Sequence, residues 1–159
     1  MKNDAIVKFV TVQTTDDGES DVLEVNAQGT FEKTENGYVI EYKEIDEEME
    51  GSVTTISLDS PEKVTITRSG NYNSQFIIEK NKRHSCYYET PAGSLMMGVF
   101  ASSVFNNLGD HGGKIKLKYT IDFNSSMVAE NTVTVLVKVK KGCKFIKISS
   151  ASKTKRSNC

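Results

Sequence analysis

Several features that mark particular classes of protein are absent from this sequence. The 159 residues include no tryptophan and no segment that approaches the ~18 consecutive apolar residues of a membrane-spanning helix. No small-residue cleavage site follows the short apolar stretch of residues 5–12, so nothing predicts a secretory signal. The three cysteines are widely spaced and form no CxxC pair, which is typical of free thiols in a reducing compartment. We therefore expect a cytoplasmic protein that does not bind membranes.

Signatures of common enzymes and of cofactor sites are also missing. The sequence has no GxSxG, HExxH, GxGxxG or phosphate-binding loop. His84 and Cys86 share one face of a predicted strand, but residues two apart on a strand have Cα atoms ~7 Å apart, too far for direct activation of a thiol. The other histidine, His111, is distant in the sequence. The sequence thus predicts no catalytic residue, no metal site and no cofactor, and it favours a non-enzyme without deciding the question.

What the sequence does contain is repeated alternation of apolar and polar residues. In residues 114–121, Ile115, Leu117, Tyr119 and Ile121 face one way, and lysines face the other. Residues 132–140 repeat the pattern with valines on the inner face, and Leu136 is the one apolar residue on the outer face. Strands with one apolar and one polar face are typical of antiparallel sheets.

Turn signals divide the chain into about ten candidate strands. Asn36-Gly37, between residues 22–34 and 38–45, predicts a hairpin with a type I′ turn. Residues 95–108 have apolar side chains on both faces and no helical stripe, and we predict a long strand there. Regular spacing of this kind predicts an all-β fold: a single antiparallel meander of about 8–10 strands that closes into a barrel, with a sandwich as the alternative.

The charges are balanced overall but unevenly distributed. Lysine and arginine total 20 against 21 acidic residues, yet the segment from Lys138 onward holds eight basic residues and no acid. We expect residues 1–148 to form the barrel domain and residues 149–159 to form a mobile tail. The tail either touches RNA or another acidic surface, or keeps the protein soluble and lies on its own acidic segment. That segment contains Asp46, Glu47, Glu48 and Glu50. Nucleic-acid binding is expected to be weak at most, and through this tail.

Two charged residues fall on the inner face of their predicted strands. Glu44 continues the apolar row of Tyr38, Ile40 and Tyr42, and Arg68 continues the row that contains Ile66. One interpretation is that both charges lie near a barrel mouth, where they are hydrated or paired with each other. The other is that a bulge at each strand end turns them out to solvent.

Several short stretches, taken in order, resemble the YwiB-like family of bacterial domains of unknown function. The matching parts are Gly29, residues 37–44, residues 67–70, Phe76, residues 88–93 and residues 113–119. This resemblance covers roughly residues 1–140. It implies a calycin-like antiparallel barrel, the architecture of lipocalins, and it implies no activity. The glycine and inward tryptophan of the lipocalin signature are missing, since the chain has no tryptophan.

Two kinds of function follow from these observations. In the first, a barrel of this size holds a small amphiphilic or anionic ligand. The residues predicted to bind it are Arg68, Glu44, Tyr42, Tyr88 and Tyr119. The tyrosines are equally suited to filling the barrel, and so are Phe76, Phe100 and Phe123, which we expect to point inward. The alternative is a non-enzymatic module that binds protein or RNA through its outer surface or basic tail. The sequence leaves the oligomeric state open.

Overall fold

The computed structural model describes residues 2–15, 17–44, 51–123 and 126–140, which form a closed antiparallel barrel. Its strands are β1 (Lys2–Thr15), β2 (Ser20–Lys33), β3 (Tyr38–Lys43), β4 (Val53–Ser60), β5 (Lys63–Ser69), β6 (Ser74–Glu79), β7 (Arg83–Thr90), β8 (Gly93–Asn106), β9 (Gly112–Phe123) and β10 (Ser126–Val139). Each strand pairs with the next one along the chain, and β1 also pairs with β10. The prediction of an all-β meander closed into one barrel is confirmed, and the sandwich is excluded. The part of the chain described here contains no helix long and apolar enough to cross a membrane.

The alternating sequence sets the two faces of the barrel wall. On β9, Ile115, Leu117 and Tyr119 are buried in the interior, whereas Lys116 and Lys118 are exposed outside. Successive side chains of a strand point to opposite faces, so the apolar half of each strand enters the core without distortion. As predicted, Leu136 lies on the outer face, where 40% of it is exposed.

The hairpin between β2 and β3 forms where the sequence predicts it, but the predicted turn type is wrong. Four residues, not two, connect the strands, and neither Asn36 nor Gly37 has the positive φ that a type I′ turn requires. The Thr34 N–H donates to the Gly37 carbonyl at 2.8 Å, and the Gly37 N–H donates to the Thr34 hydroxyl at 3.1 Å. A Cβ at Gly37 would lie 1.9 Å from the Leu58 carbonyl oxygen, so close approach to β4 explains the glycine.

The ambiguous segment of residues 95–108 falls largely within β8, a long strand as predicted, with a bulge between Ala101 and Ser103. The expectation that Phe100 points inward is wrong. Met97, Val99 and Ala101 are buried, so the parity of the strand places Phe100 on the outer wall with 38% of its surface exposed.

The two ends of the barrel differ in chemistry. In an antiparallel meander the turns after odd-numbered strands lie at one end, which we call the mouth, and those after even-numbered strands lie at the other, the closed end. The interior towards the closed end is filled by buried apolar side chains, including Ala5, Val7, Phe31, Ile40, Ile56, Leu58, Val64, Ile78, Ile115, Leu117, Val135, Val137 and Val139. The barrel is thus packed at one end and lined by mixed residues at the other.

Some sequence-based expectations lie outside the described residues. These include the position of the acidic residues Asp46, Glu47, Glu48 and Glu50 and the mobility of the tail at residues 149–159. The last strand ends at Val139, and the domain boundary at residue 148 stays a prediction. So does the cytoplasmic location.

Candidate ligand site at the barrel mouth

A cavity of about 360 Å³ opens at the mouth, and we call it the mouth cavity. Its apolar lining includes Phe9, Leu23, Ile66, Phe76, Met97, Ile121, Phe123 and Val128. Its polar lining includes Thr11, Gln13, Arg68, Ser74, Tyr88, Tyr119 and Asn131. Among the described residues that line it, Arg68 alone is charged. The mouth cavity therefore combines largely apolar walls with a single cationic group.

Arg68 and Glu44 reach the interior because each continues the inward-facing row of its strand. Val64 and Ile66 precede Arg68 in the row on β5, and Tyr42 precedes Glu44 at the end of β3. The Arg68 side chain is 24% exposed and that of Glu44 only 8%, and Arg68 Nε lies 3.8 Å from Glu44 Oε2. The structure brings the two charges together inside the barrel, so the alternative in which bulges turn them out to solvent is wrong.

Thr54 holds the Glu44 carboxylate in place. In the sheet register Thr54 lies between Tyr42 on β3 and Arg68 on β5, and its hydroxyl donates a hydrogen bond to Glu44 Oε2. The Glu44 N–H also donates to the Ser52 carbonyl at 2.9 Å. Burial, and then the charge of Glu44, raise the pKa of Tyr42 well above its ordinary value. The Tyr42 hydroxyl therefore stays protonated at neutral pH and acts as a hydrogen-bonding group, not as a base.

The Arg68 guanidinium has hydrogen-bonding capacity that the described part of the chain does not use. Its Nε is buried and has no hydrogen-bond partner in the described structure, since 3.8 Å to Glu44 is too long for a hydrogen bond. A buried donor without a partner is unfavourable, because it has lost its hydrogen bonds to water without replacement. An acceptor that entered the mouth cavity would meet the Arg68 side chain, which lines the cavity.

Two of the three predicted tyrosines line the mouth cavity, and the third does not. Tyr88 packs against Phe76 with ring centroids 5.8 Å apart. Tyr119 is 6% exposed, and burial raises the pKa of its hydroxyl well above the ordinary value. Tyr42 is absent from the lining and contributes to the packing below it, with its ring centroid 6.5 Å from that of Phe9.

A comparison with known protein families shows the family of this chain. The sequence profile of a domain of unknown function, DUF1934, matches residues 7–135, which make up most of the chain. The chain belongs to the DUF1934 family. No curated protein sequence matches it.

A solved structure also resembles this DUF1934 domain. It is the crystal structure of the ywiB protein from Bacillus subtilis, which matches with a TM-score of 0.77 and 18% sequence identity. The match covers 88% of this chain and 94% of that chain. At this identity the likeness establishes the fold. The YwiB-like resemblance in the sequence is thereby confirmed.

In this DUF1934 domain two residues of the mouth cavity were missed by the sequence reasoning. Gln13 on β1 faces Asn131 on β10 across the closing seam, which is the β1–β10 pairing that closes the barrel. Its Nε2 donates to Asn131 Oδ1 at 3.0 Å. Asn131 is 2% exposed, and this bond satisfies part of its amide. A signal was present: Asn131 continues the inward row of Val133 and Val135 toward the mouth. The partner across the seam was not visible, because β1 and β10 lie at opposite ends of the sequence.

His84 and Cys86 do share the inner face of β7, but they make separate contacts. His84 Nε2 lies 2.9 Å from Glu79 Oε1, and this hydrogen bond lowers the pKa of the Glu79 carboxyl. The Cys86 Sγ accepts the Ile77 N–H at 3.4 Å, and burial raises the pKa of its thiol. The described ranges contain no group of three or more metal-ligating side chains.

Proposed function

We propose that the mouth cavity binds a small amphiphile whose anionic head group contacts Arg68. The observation that carries the proposal is the buried Arg68 Nε. Among the described residues it has no hydrogen-bond partner, and Arg68 is the one charged side chain of the cavity lining. A guanidinium offers five N–H donors in a planar fork that matches a carboxylate or a phosphate. An anionic head group at this guanidinium would supply the acceptor that the buried Nε lacks among the described residues.

The remaining walls suit the apolar part of such a ligand. Phe9, Ile66 and Phe76 lie on three strands around the same space as Arg68, and Ile121 and Phe123 extend the apolar lining along β9. Apolar walls with a few convergent polar groups are typical of small-molecule sites, and the volume of about 360 Å³ falls within their usual range. This is also how calycin barrels such as lipocalins hold a ligand, and we place the chain among them as part of the proposal.

Glu44 has an opposing effect on such a ligand. Its carboxylate lies 3.8 Å from Arg68 and accepts the Thr54 hydroxyl, which holds both charges in position. The same negative charge repels an anionic head group. Glu44 therefore weakens binding of the ligand, while it keeps the Arg68 side chain in a fixed position. We infer a carrier or sensor that binds its ligand reversibly and performs no chemistry on it.

Calorimetry with decanoate and decanol tests the proposal, because the two probes share an alkyl chain and differ in head-group charge. We expect decanoate to bind more tightly than decanol. Arg68→Gln should abolish that preference, and Glu44→Gln should increase it several-fold by removing the competing charge. Arg83→Gln is the matched control, since Arg83 also pairs with an acid, Asp122, but on the outer wall.

Native mass spectrometry of the purified protein complements this experiment. An excess mass that is lost on denaturation, and that is absent from the Arg68→Gln variant, would identify a ligand acquired during expression. Equal binding of decanoate and decanol, unchanged by Arg68→Gln in a folded protein, would contradict the proposal. So would the absence of any binding by both probes.

A further inference from the structure

One part of the outer wall carries a row of lysines. Lys114, Lys116 and Lys118 occupy alternate positions of β9 and point away from the core, and Lys138 lies beside them on β10. We call these four residues the lysine face. Alternate residues of a strand are ~6.8 Å apart, so the β9 ammonium groups form a line along the wall.

The lysine face is not neutralised by the rest of the described structure. Some basic residues elsewhere in the barrel have acidic partners, such as Lys8 with Glu24 at 3.5 Å and Arg83 with Asp122 at 2.7 Å. Among the described residues, none of the four lysines of this face forms an ion pair. The acids of the same wall, Asp122 and Glu130, lie toward the mouth. The sequence after Lys140 adds six basic residues and no acid.

Exposed apolar side chains lie next to the lysines of the lysine face. Phe105 on β8 is directly opposite Lys116 and is 48% exposed, and Leu136 on β10 is opposite Lys114 and is 40% exposed. Next to them a shallow groove of about 440 Å³ is lined by Lys8, Lys114 and Lys138, with Ile6 and Leu136 as its apolar floor. The exposed ring of Phe105 therefore lies among cations.

We propose that the lysine face and Phe105 bind single-stranded nucleic acid. Single strands are held by cationic tracks that follow the phosphates and by aromatic side chains on which bases stack, and a sheet wall can present both. The row on β9 supplies the track, and Phe105 supplies the stacking surface in the middle of it. This site is separate from the mouth cavity. The sequence-based alternative was a module that binds protein or RNA through its outer surface or its basic tail, and the proposal assigns the binding to one part of the outer surface.

Fluorescence anisotropy with labelled oligo(U) and oligo(dT) over a series of salt concentrations tests this proposal on the full chain. The triple variant Lys114→Gln, Lys116→Gln, Lys118→Gln should weaken binding about tenfold or more and reduce the slope of log affinity against log salt by about two. Phe105→Ser should weaken binding about fivefold with little change in that slope, because it removes stacking and no charge.

The matched control is Lys2→Gln, Lys33→Gln, Lys43→Gln, which removes the same charge from exposed positions on β1, β2 and β3. It should bind nearly as well as the parent. Thermal unfolding of all variants confirms that they are folded, and Lys116→Glu alone provides a second, milder test with the same expected direction.

Preference for one of the two oligonucleotides would identify RNA or DNA as the partner. Equal losses in both triple variants would assign the binding to overall charge or to the tail and overturn the proposal. A parent protein that binds neither oligonucleotide would also overturn it and would direct attention to an acidic protein partner.

Discussion

Single residues at the barrel mouth show how parity and burial together decide a side chain's role. Glu41 and Glu44 lie three residues apart, and therefore on opposite faces of the wall. Glu41 accepts the Thr55 hydroxyl at 3.4 Å outside, while Glu44 accepts the Thr54 hydroxyl inside and lies beside Arg68. The same pair of residue types thus occurs twice, once half-buried on the outer wall and once buried inside. In the described structure the buried pair lies beside an arginine.

This internal comparison allows a direct test of the buried carboxylate. We expect Glu44→Gln to lower the free energy of unfolding by about 1–2 kcal/mol, because it weakens a charge-assisted hydrogen bond and leaves the partly buried Arg68 without its counter-charge. Glu41→Gln, at a more exposed position, should change it by less than about 0.5 kcal/mol. Urea denaturation followed by circular dichroism measures both. Equal effects of the two substitutions would show that Glu44 does not stabilise the barrel through Arg68.

At the scale of strands, the barrel wall is not uniform. The β1–β10 ladder runs from Ala5 opposite Val139 to Thr15 opposite Ala129. Between β6 and β7, by contrast, the register pairs are Ser74 with Tyr88 and Gln75 with Tyr87. Further along the β6–β7 pairing, the Ile77 N–H donates to the Cys86 sulfur. The β6–β7 turn is bonded to β8 instead, since the Asn81 N–H donates to the Ala101 carbonyl. The pairing at the β6–β7 seam is therefore much shorter than the β1–β10 pairing.

We expect this seam to open before the rest of the barrel. Amides in β6 and in the first half of β7 should exchange with deuterium faster than amides in β1 and β10, because fewer backbone hydrogen bonds must break for local opening. Hydrogen exchange resolved by mass spectrometry of peptides gives the comparison. The β9–β10 ladder is the internal control for a well-paired seam. Protection in β6 equal to that in β10 would contradict this expectation.

Over the whole molecule, closure joins the two ends of the described sequence. Val7 on β1 faces Val137 on β10, and both residues are buried, with 1% and 6% of their surfaces exposed. The other ladders join neighbours along the chain. Because long loops are entropically costly to close, the local hairpins should form first and the β1–β10 ladder last. The net charge of the chain is only −1, yet the closed barrel carries the lysine face on one part of its outer wall.

The order of assembly can be tested with two matched valine substitutions. Val7→Ala and Val64→Ala each remove two methyl groups from fully packed positions and should each cost about 2 kcal/mol. We expect Val7→Ala to act mainly by increasing the unfolding rate, since its contacts form after the transition state. Val64→Ala, in the local β4–β5 hairpin opposite Leu58, should slow folding to a greater extent. Stopped-flow refolding and unfolding in urea measure both rates, and the reverse pattern would contradict late closure.

Much of the fold was predictable because strands are specified locally. Alternation along β9 and β10 placed their valines, isoleucines and lysines on the correct faces. The same reasoning put Glu44 and Arg68 on the inward rows of their strands and left open whether a bulge turns them out to solvent. It failed at Phe100, where both parities of β8 carry apolar residues and the pattern does not select a face. It also failed at Asn36-Gly37, where close approach of Gly37 to Leu58 on β4 decided the turn.

The sequence alone determined the strands, most of their faces and the family to which the chain belongs, because a two-residue period is a property of neighbouring positions. Only the tertiary structure decided which faces meet. The contact of Arg68 with Glu44, the bond of Gln13 to Asn131 across the closing seam, and the position of Phe105 opposite Lys116 depend on strand register. Register is set by closure of the entire barrel, in which every ladder constrains the others, and no local stretch of sequence contains that information.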